Sequence, residues 1–424
     1  MTHLDAQHAW FARRRLGLFA HFGLYAIEGW QEQDIMRRRI PQQAYETLVQ
    51  RFNPSHLDFE AILDLAESVG MEYICLTTKH LDGFCLWNTR ETTFNVMHSP
   101  YGRDIVKQLA DACHRRNFPL GLYYSVVDWH HPNYSHQGRH HERPRPLPDG
   151  DPDWGKYMTY LTRQVRELCT QYGEIRHFFW DTNVPEFCDP SINAMLRALQ
   201  PNMVINDRGF DAGDFGTPER EYNKDATDRQ TRFERPTEAC NSVGTQSWGY
   251  RKNEDYYSTS FLIESIDAIM AKGGNYLLNV GPDAGGNIPA KDREILLEIG
   301  AWYGKTREAF GDAEPASALT LNRDVLLTRR ANTVYVHLTT RPKADAVILA
   351  PLSSQPIRAV LLNTGTTLHA SVERLPSYWQ SERPVLIIRG LPRDMLSGET
   401  LVIRLEFSAP PDGDNSATVQ AYAG

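Results

Sequence analysis

Two carboxylate side chains in this 424-residue sequence are placed to do nucleophilic and acid–base chemistry. Asp181 ends the aromatic run Arg-His-Phe-Phe-Trp-Asp, and Glu219 lies in the glycine-rich stretch Gly-Asp-Phe-Gly-Thr-Pro-Glu. Cleavage of a glycosidic bond needs such a pair, because one carboxylate attacks the anomeric carbon and one carboxyl group delivers a proton. Glu238 competes with Glu219 for the second role. Asp181 could instead cap a helix or pair with an arginine, since a buried charge needs partners.

Polar side chains follow five predicted strands, at the point where each strand ends. They are His21, His80, Tyr124 with Ser125, Asp181 and Arg208. The carboxyl ends of parallel strands meet at one edge of a sheet, so we expect these side chains to converge there. One polar residue at the end of a strand is common and does not by itself indicate a function. Histidine, carboxylate and guanidinium groups at one edge of a sheet together indicate a binding or catalytic site.

Histidine pairs raise the alternative of a bound metal. The pairs are His130-His131 and His140-His141, with Asp128 nearby. Adjacent side chains on an extended segment point to opposite sides, which disfavours a shared metal. The glycine pairs Gly273-Gly274 and Gly285-Gly286 lack the spacing of a phosphate-binding loop. We therefore expect neither a metal nor a cofactor.

The elements that must position these residues alternate along the chain up to about residue 310. Short apolar runs alternate with segments of helical periodicity; in residues 59–69 the apolar positions share one face, and Gly70 follows. This predicts a TIM-like (β/α)8 barrel, irregular in places, for residues 1–312. The predicted strands are 16–19, 73–76, 120–124, 175–180, 203–205 and 276–280. The predicted helices include 59–69, 190–199, 259–271 and 291–304.

After about residue 312 the helical periodicity gives way to short alternating strands separated by proline, glycine and asparagine. This pattern predicts a small antiparallel β-sandwich for residues 313–424, with a polar tail from Pro410 that we expect to fray. The predicted strands are 325–328, 333–338, 346–349, 357–362, 385–388 and 401–407.

The composition is that of an ordinary globular protein, with 41% hydrophobic and 23% charged residues. A formal net charge of −8 and the lack of long basic runs argue against a nucleic-acid partner. The N-terminal residues lack a basic and then apolar pattern, and no stretch is apolar for the length that a bilayer requires. We therefore expect no membrane association and a cytoplasmic location. The six scattered cysteines are expected to be reduced and structural.

Several separated motifs resemble those of glycoside hydrolase family 29, the α-L-fucosidases, in order over the whole predicted barrel. The stretch Gly-Leu-Phe-Ala-His-Phe-Gly-Leu-Tyr resembles the family's first-strand motif, in which the histidine binds the sugar and an aromatic residue helps to house the C6 methyl group. The resemblance assigns these roles to His21 and Phe19. Thr-Thr-Lys-His-Leu-Asp-Gly-Phe is similar to the family's Thr-x-Lys-His-His-Asp-Gly-Phe stretch, so His80 is a sugar ligand by resemblance.

The resemblance extends to the later motifs. Tyr-Tyr-Ser resembles the third-strand motif, whose second tyrosine contacts the site, and this implies Tyr124. Asn-Asp-Arg resembles the segment that supplies a sugar-binding arginine, which implies Arg208, and Asp181 matches the family nucleophile. Trp248, in Ser-Trp-Gly-Tyr, falls where an aromatic residue lines the methyl pocket. Glu32 resembles a glutamate that the family presents after its first strand.

Three positions depart from the family pattern or vary within it. Leu81 stands where the family usually has a second histidine, so one polar sugar contact is lost or comes from elsewhere. Phe179 stands two residues before the nucleophile, where tryptophan is common. The proton-donor segment varies among members: Glu219 resembles the bacterial-type donor, whereas Glu238 matches a glutamate favoured in other members. We expect Glu219 to be the donor.

The sequence thus predicts an exo-acting, retaining hydrolase that releases terminal α-L-fucose from a fucosylated glycan or fucoside. Retention places the two carboxyl groups about 5 to 5.5 Å apart, with Asp181 ionised and Glu219 carrying a proton. A galactose-configured substrate remains an alternative because of Leu81. A catalytically silent carbohydrate-binding barrel is the alternative from another class. The oligomeric state stays open, a homo-oligomer included.

Overall fold

The computed structural model describes residues 9–139, 141–142, 152–182, 189–220, 231–339, 344–376, 383–392 and 398–411. The chain forms two compact units. The first comprises Met1–Tyr222, Arg235–Tyr257 and Asn275–Leu297, and the second comprises Asn223–Glu234, Ser258–Gly274 and Glu298–Gly424. The predicted domain division between residues 312 and 313 stays a prediction. Cys188 and residues 412–424 of the predicted polar tail lie outside the described residues.

A seven-stranded parallel sheet forms the centre of the first unit. Its strands are β1 (Leu16–Ala20), β2 (Ile74–Lys79), β3 (Leu120–Ser125), β4 (His177–Asp181), β5 (Val204–Ile205), β6 (Glu238–Ser242) and β7 (Asn275–Val280). Their order is β5-β4-β3-β2-β1-β7-β6, and every neighbouring pair is parallel. The predicted α/β class is confirmed, and each predicted strand of this region overlaps an observed one.

Strand β6 was not predicted, because its sequence Glu-Ala-Cys-Asn-Ser contains no apolar run. All of its residues are nevertheless buried, and β6 pairs with β7 from Glu238 to Ser242. Hydrogen bonds make this burial tolerable; the Ser242 hydroxyl, for example, accepts one from Asn279 Nδ2 at 3.0 Å. Apolar periodicity does not detect a strand whose buried side chains are polar.

Helices lie before, between and after the parallel strands along the chain. Those longer than eight residues are α5 (Phe59–Val69), α6 (Ile105–Arg116), α7 (Trp154–Gln171), α8 (Pro190–Leu199), α9 (Thr259–Ala271) and α10 (Ala290–Thr306). The shorter ones are α1 (Ala9–Arg13), α2 (Tyr25–Glu28), α3 (Asp34–Arg37) and α4 (Gln42–Glu46). Helices α5 to α9 each begin after a side chain that accepts a hydrogen bond from the first turn. These caps are Asp58, Asp104, Asp153, Asp189 and Ser258, each worth about 1 kcal/mol. Within the described residues, no helix has the length and apolar character needed to cross a bilayer.

The strand register aligns the carboxyl ends of the sheet. Ser125 is paired with Asp181, and Ala20 with Val280, so β3 ends level with β4, and β1 ends level with β7. The residues that follow these ends therefore share one edge of the sheet, where a site is expected.

The two outer strands, β5 and β6, are linked through the segment 215–219. Isolated parallel bridges join Phe215 to Asn206, just after β5, and Gly216 to Thr237, just before β6. A third bridge joins Glu219 to Cys240 within β6. The segment that carries Glu219 therefore spans the gap between the two edges of the sheet.

The second unit contains two antiparallel sheets. The six-stranded sheet has the order β13-β12-β16-β10-β9-β8, and the three-stranded sheet has the order β11-β15-β14. Their strands are β8 (Glu314–Pro315), β9 (Val325–Arg330), β10 (Thr333–Leu338), β11 (Ala346–Leu349), β12 (Arg358–Leu361), β13 (Thr366–Thr367), β14 (His369–Glu373), β15 (Val385–Arg389) and β16 (Leu401–Glu406). One apolar cluster draws on both sheets, with Val336 from one and Leu386 from the other. All six predicted strands correspond to observed ones.

Candidate active site

A cavity of about 270 Å³ lies at the carboxyl edge of the parallel sheet. All the predicted site residues line it except Tyr124 and Glu238; they are Phe19, His21, Glu32, His80, Asp181, Arg208, Glu219 and Trp248. The other described lining residues are Gln33, Leu81, Tyr123, His141, Phe179, Thr182 and Cys240. The volume lies just below the range of about 300 to 1,000 Å³ for drug-sized ligands, so it suits a single sugar residue.

Asp181, the last residue of β4, faces the cavity with both carboxylate oxygens engaged. The Tyr123 hydroxyl donates to Oδ2 at 2.8 Å, and Arg208 Nη1 donates to Oδ1 at 3.0 Å. Burial by itself would raise the pKa of Asp181, but the charge of Arg208 and the bond from Tyr123 outweigh it and lower the pKa below its ordinary value. Asp181 is therefore ionised at neutral pH.

Arg208 bridges the two candidate catalytic carboxylates. Its Nη1 binds Asp181, while its Nη2 lies 2.8 Å from Oε2 of Glu219 and also donates to the Thr217 carbonyl at 2.9 Å. The Glu219 side chain is 39% exposed and that of Asp181 is 21% exposed, so Glu219 is the more accessible to solvent. One planar guanidinium thus fixes both carboxylates against the same cavity.

His21 is held as a neutral imidazole of defined tautomer. The Asn279 amide nitrogen donates to the Ser242 hydroxyl at 3.0 Å and to the Trp248 carbonyl at 2.7 Å, so its oxygen must accept. His21 Nδ1 therefore donates to Asn279 Oδ1 at 2.7 Å, and Nε2 keeps a lone pair. Burial and the neighbouring His80 lower the pKa of His21 well below its ordinary value. The imidazole can accept a hydrogen bond from a hydroxyl group.

His80 packs against the tyrosine that contacts Asp181. Its ring is stacked on that of Tyr123, with centroids 5.5 Å apart and planes 10° apart. Burial lowers the pKa of His80, although the negative charges of Glu32 and Asp181 act in the opposite direction. Its Nδ1 is buried and finds no hydrogen-bond partner among the described residues. His80 nevertheless lines the cavity.

Glu32 is buried and fixes the backbone at Trp248. Its Oε2 accepts hydrogen bonds from the Ser247 hydroxyl at 2.8 Å and from the Trp248 backbone nitrogen at 2.9 Å. The backbone nitrogen of Gly249 lies 3.4 Å from the same oxygen. Glu32 thereby positions an aromatic wall of the cavity as well as lining it.

Aromatic rings form an apolar corner of the cavity. The Phe19 centroid lies 6.2 Å from that of Trp248 and 5.1 Å from that of Phe179. The His21 ring is stacked on Trp248 at 5.2 Å. A site with this corner beside polar groups suits a sugar that carries a methyl group.

The prediction that Tyr124 contacts the site is wrong; its neighbour Tyr123 does so. The Tyr124 hydroxyl donates to Gln164 Oε1 at 2.7 Å, and Lys79 Nζ lies 4.3 Å from its ring centroid. Consecutive side chains of a strand point to opposite faces, so only one of two adjacent tyrosines can face the cavity. Tyr123 is paired with Phe179, which lies two residues before Asp181 and so shares its face.

Glu238, the alternative acid, lies at the wrong end of the sheet. It is the first residue of β6, whereas the cavity lies at the carboxyl ends of the strands. Its Oε2 accepts a hydrogen bond from the Tyr73 hydroxyl at 2.5 Å, and its Oε1 lies 2.9 Å from His177 Nε2. The side chain is fully buried among these partners. The geometry excludes direct contact with a sugar in the cavity.

Sequence reasoning missed three residues that set the site geometry: Tyr123, Asn279 and Thr182. Thr182 follows Asp181 with a left-handed φ of 55°. Its hydroxyl donates to the Asp181 carbonyl at 2.7 Å and lies 2.9 Å from the Ser125 hydroxyl. These contacts stabilise a turn that few β-branched residues adopt. The alternation counted back from Asp181 could have identified Tyr123 once the register was known.

The side chains that suggested a metal have other partners. Asp128 pairs with the fully buried Lys79 at 2.8 Å, and His130 stacks on Phe94 with centroids 4.2 Å apart. His131 packs against Tyr160, and His140 lies outside the described residues. In the part of the chain that the structure describes, no three His, Cys, Asp or Glu side chains are grouped to hold a metal ion.

Cleavage of a glycosidic bond requires two carboxyl groups that face one sugar-sized space, and Asp181 and Glu219 meet this requirement. Fold and site together define a glycoside hydrolase. The match of residues 1–308 to the alpha-L-fucosidase family narrows this class, and the chain belongs to that family. The predicted membership of glycoside hydrolase family 29 is confirmed.

Individual relatives are similar to this protein along most of its chain. Tissue alpha-L-fucosidase of Bos taurus is 26% identical over 385 residues, which cover 84% of this chain and 80% of that protein. The structure of alpha-L-fucosidase isoenzyme 1 from Paenibacillus thiaminolyticus is 29% identical with a TM-score of 0.80, covering 95% of this chain and 99% of that one. A second structure is that of a family 29 alpha-L-fucosidase from Bacteroides thetaiotaomicron, trapped as a covalent intermediate with 2-fluoro-fucosyl fluoride. Its sequence is 25% identical to this one, and the TM-score is 0.81, with 95% of this chain and 96% of that chain covered.

Proposed function

We propose that this protein releases terminal α-L-fucose from fucosylated glycans or simple fucosides with retention of configuration. Asp181 is the nucleophile, and Glu219 is the general acid and base. The observation that carries the proposal is the single guanidinium of Arg208, which holds both carboxylates against one cavity. The covalent intermediate trapped in the Bacteroides thetaiotaomicron relative supports a double displacement.

The reaction has two balanced steps. In the first, an Asp181 oxygen forms a bond to the anomeric carbon while the bond to the leaving oxygen breaks, and Glu219 gives that oxygen its proton. In the second, Glu219 takes a proton from water, the water oxygen attacks the anomeric carbon, and the bond to Asp181 breaks. Two inversions give net retention.

The surroundings of the two carboxyl groups suit these different roles. Asp181 is clamped by Tyr123 and Arg208, which stabilise its negative charge. Glu219 lies on the segment between β5 and β6 with a larger exposed fraction, where protons and water can reach it. The bond to Arg208 must loosen when Glu219 carries its proton, because a protonated carboxyl is a weaker partner for the cation.

The remaining cavity residues recognise the sugar. His21 Nε2 accepts a hydrogen bond from one hydroxyl, and His80, Arg208 and Glu32 supply further polar contacts. Phe19 and Trp248 enclose the C6 methyl group. A galactose-configured sugar carries a hydroxymethyl group at this position, and its extra hydroxyl would lie against the apolar corner.

We also propose the finer architecture that the sequence predicts. The seven parallel strands and the segment 215–219 form an irregular closed barrel, and the two antiparallel sheets stack as a sandwich. The bridges at Phe215, Gly216 and Glu219 and the apolar cluster shared by both sheets support this. A crystal structure in which β5 and β6 lack this link would overturn the barrel.

The test begins with Asp181→Ala and an aryl α-L-fucoside. The variant should lose turnover, and azide should restore it by entering the vacated space and forming a fucosyl azide of inverted configuration. Full activity in the variant would end the proposal. Tyr124→Phe, outside the cavity, is the matched control, and an aryl galactoside assayed in parallel tests the sugar specificity.

In wild type, 2-fluoro-fucosyl fluoride should label the peptide that contains Asp181, as read by mass spectrometry; a label elsewhere would contradict the assignment.

A further inference from the structure

Leu81 and His141 line the same cavity but differ in chemistry. Leu81 follows His80 and is 1% exposed, and its hydrocarbon side chain offers no hydrogen bond to a ligand. His141 comes from the segment after β3 and is half-buried, with an imidazole that can donate and accept. Of these two residues, only His141 can form a side-chain hydrogen bond with a ligand in the cavity.

Trp129 fixes the backbone of both residues. Its backbone nitrogen donates to the Leu81 carbonyl at 2.8 Å, and its indole nitrogen donates to the His141 carbonyl at 2.8 Å. Trp129 is itself 3% exposed, so the ring that joins the two segments is embedded in the protein. His141 is thereby held at a set position relative to Leu81.

Glu142 anchors the segment on the other side of His141. Its carboxylate accepts hydrogen bonds from the Tyr134 hydroxyl at 2.6 Å, the Gln137 backbone nitrogen at 2.7 Å and Arg139 Nη2 at 2.7 Å. Burial by itself would raise the pKa of Glu142, but the bonds from Arg139 and Tyr134 outweigh it and lower the pKa to about 2. Glu142 stays ionised, and the anchor persists, at any pH well above this value.

The backbone of His141 adopts a conformation that residues other than glycine rarely take. Its φ is 67°, in the left-handed region. Such outliers persist only where the surroundings hold them, and they cluster at ligand clamps. The two anchors on either side, Trp129 and Glu142, supply the hold, and the side chain that this conformation carries lines the cavity.

We propose that His141 binds the terminal sugar and helps to select it, by hydrogen-bonding a hydroxyl group on the side of the cavity that Leu81 leaves apolar. This inference rests on the proposed function and extends it. The partner is a hydroxyl of the fucose itself rather than of the leaving group, because a cavity of about 270 Å³ holds one sugar residue, and His141 shares its lining with Asp181 and His80.

The experiment measures kcat/KM of wild type and His141→Ala with an aryl α-L-fucoside and with its 2-deoxy, 3-deoxy and 4-deoxy analogues. The ratio of variant to wild type for each substrate cancels the intrinsic reactivity of that substrate. We expect the ratio to fall about 10- to 100-fold for the parent and to stay near one for the analogue that lacks the partner hydroxyl. His141→Gln, which keeps hydrogen-bonding groups, should recover much of the loss.

An equal loss with all four substrates would overturn the inference, because a merely structural role has no preference among hydroxyls. So would a variant as active as wild type, or a loss confined to oligosaccharide leaving groups. A wild type that does not hydrolyse the parent fucoside would contradict the proposed function itself. If wild type is active and His141→Ala has the same kcat/KM, only this inference is overturned.

Discussion

The Tyr123 hydroxyl donates a hydrogen bond to Asp181 Oδ2 at 2.8 Å, and this bond ties the third strand of the parallel sheet to the carboxylate of the fourth. The other oxygen of Asp181 is held by Arg208. In the proposed mechanism, these two bonds keep the nucleophile oriented toward the anomeric carbon without reorganisation during the reaction.

Tyr123→Phe should lower kcat with an aryl α-L-fucoside by at least about tenfold, because it removes one of the two bonds that orient and stabilise the Asp181 carboxylate. Steady-state kinetics on the purified variant check this. Tyr124→Phe is the matched control, since it removes a hydroxyl from the adjacent residue that bonds Gln164 on the other face. The control should keep a wild-type kcat and lose about 1 kcal/mol in free energy of unfolding. Equal kinetic effects of the two changes would contradict the orientation of β3.

Arg208→Gln should move the acidic limb of the pH–rate profile to higher pH. The pKa of Asp181 lies below the ordinary 3.8, although burial opposes this, and the charge of Arg208 is the leading cause that lowers it. Because catalysis needs the carboxylate, activity is present above this pKa and is lost as the pH falls through it. Without the guanidinium, burial dominates and the pKa rises. A limb that stays in place, measured as kcat/KM from pH 3 to 7, would show that Arg208 does not set the ionisation of Asp181.

Glu219→Ala should separate substrates by their leaving groups. An aryl fucoside with an acidic phenol needs little protonation and should lose less rate than a fucosylated disaccharide, whose leaving alcohol needs the proton. The measurement is kcat/KM over a series of aryl fucosides and one disaccharide, plotted against the pKa of the leaving group. A loss that is equal for all leaving groups would assign Glu219 another role.

Glu238→Ala should mainly affect stability. It removes the acceptor of the Tyr73 hydroxyl and the partner of His177 in a fully buried cluster, which costs about 2 to 5 kcal/mol in free energy of unfolding. Urea denaturation checks the loss. For the fraction that remains folded, the dependence on leaving group should match wild type, and a dependence like that of Glu219→Ala would restore Glu238 as the acid.

The sequence predicts the parallel sheet well because its strands are apolar on both faces and its helices carry clear caps. It fails at β6, where Glu238 and Asn241 are buried in a strand with no apolar run. The burial of Glu238 in this strand also bears on the choice of the acid. Resemblance offered Glu238 as the alternative acid, whereas the structure buries it at the amino end of a strand.

The candidate site could be predicted as a set of residues but not as a set of contacts. Resemblance named Asp181 and Glu219, but the choice between Tyr123 and Tyr124 depends on the register of β3 against β4. The tautomer of His21 depends on Asn279, which lies 258 residues away along the chain. Such contacts join residues that are far apart in the sequence, so local sequence patterns do not predict them.

Asp181 and Glu219, the two proposed catalytic residues, are held in the fold in different ways. Asp181 is embedded in a continuous ladder of strands, whereas Glu219 is tied to its neighbouring strand by an isolated bridge to Cys240. Lengthening or replacing the segment 215–219 would break a few isolated bridges and leave the pairing of β3 with β4, which carries the proposed nucleophile, intact. A substitution of the proposed acid can therefore leave the strand that carries the proposed nucleophile in place.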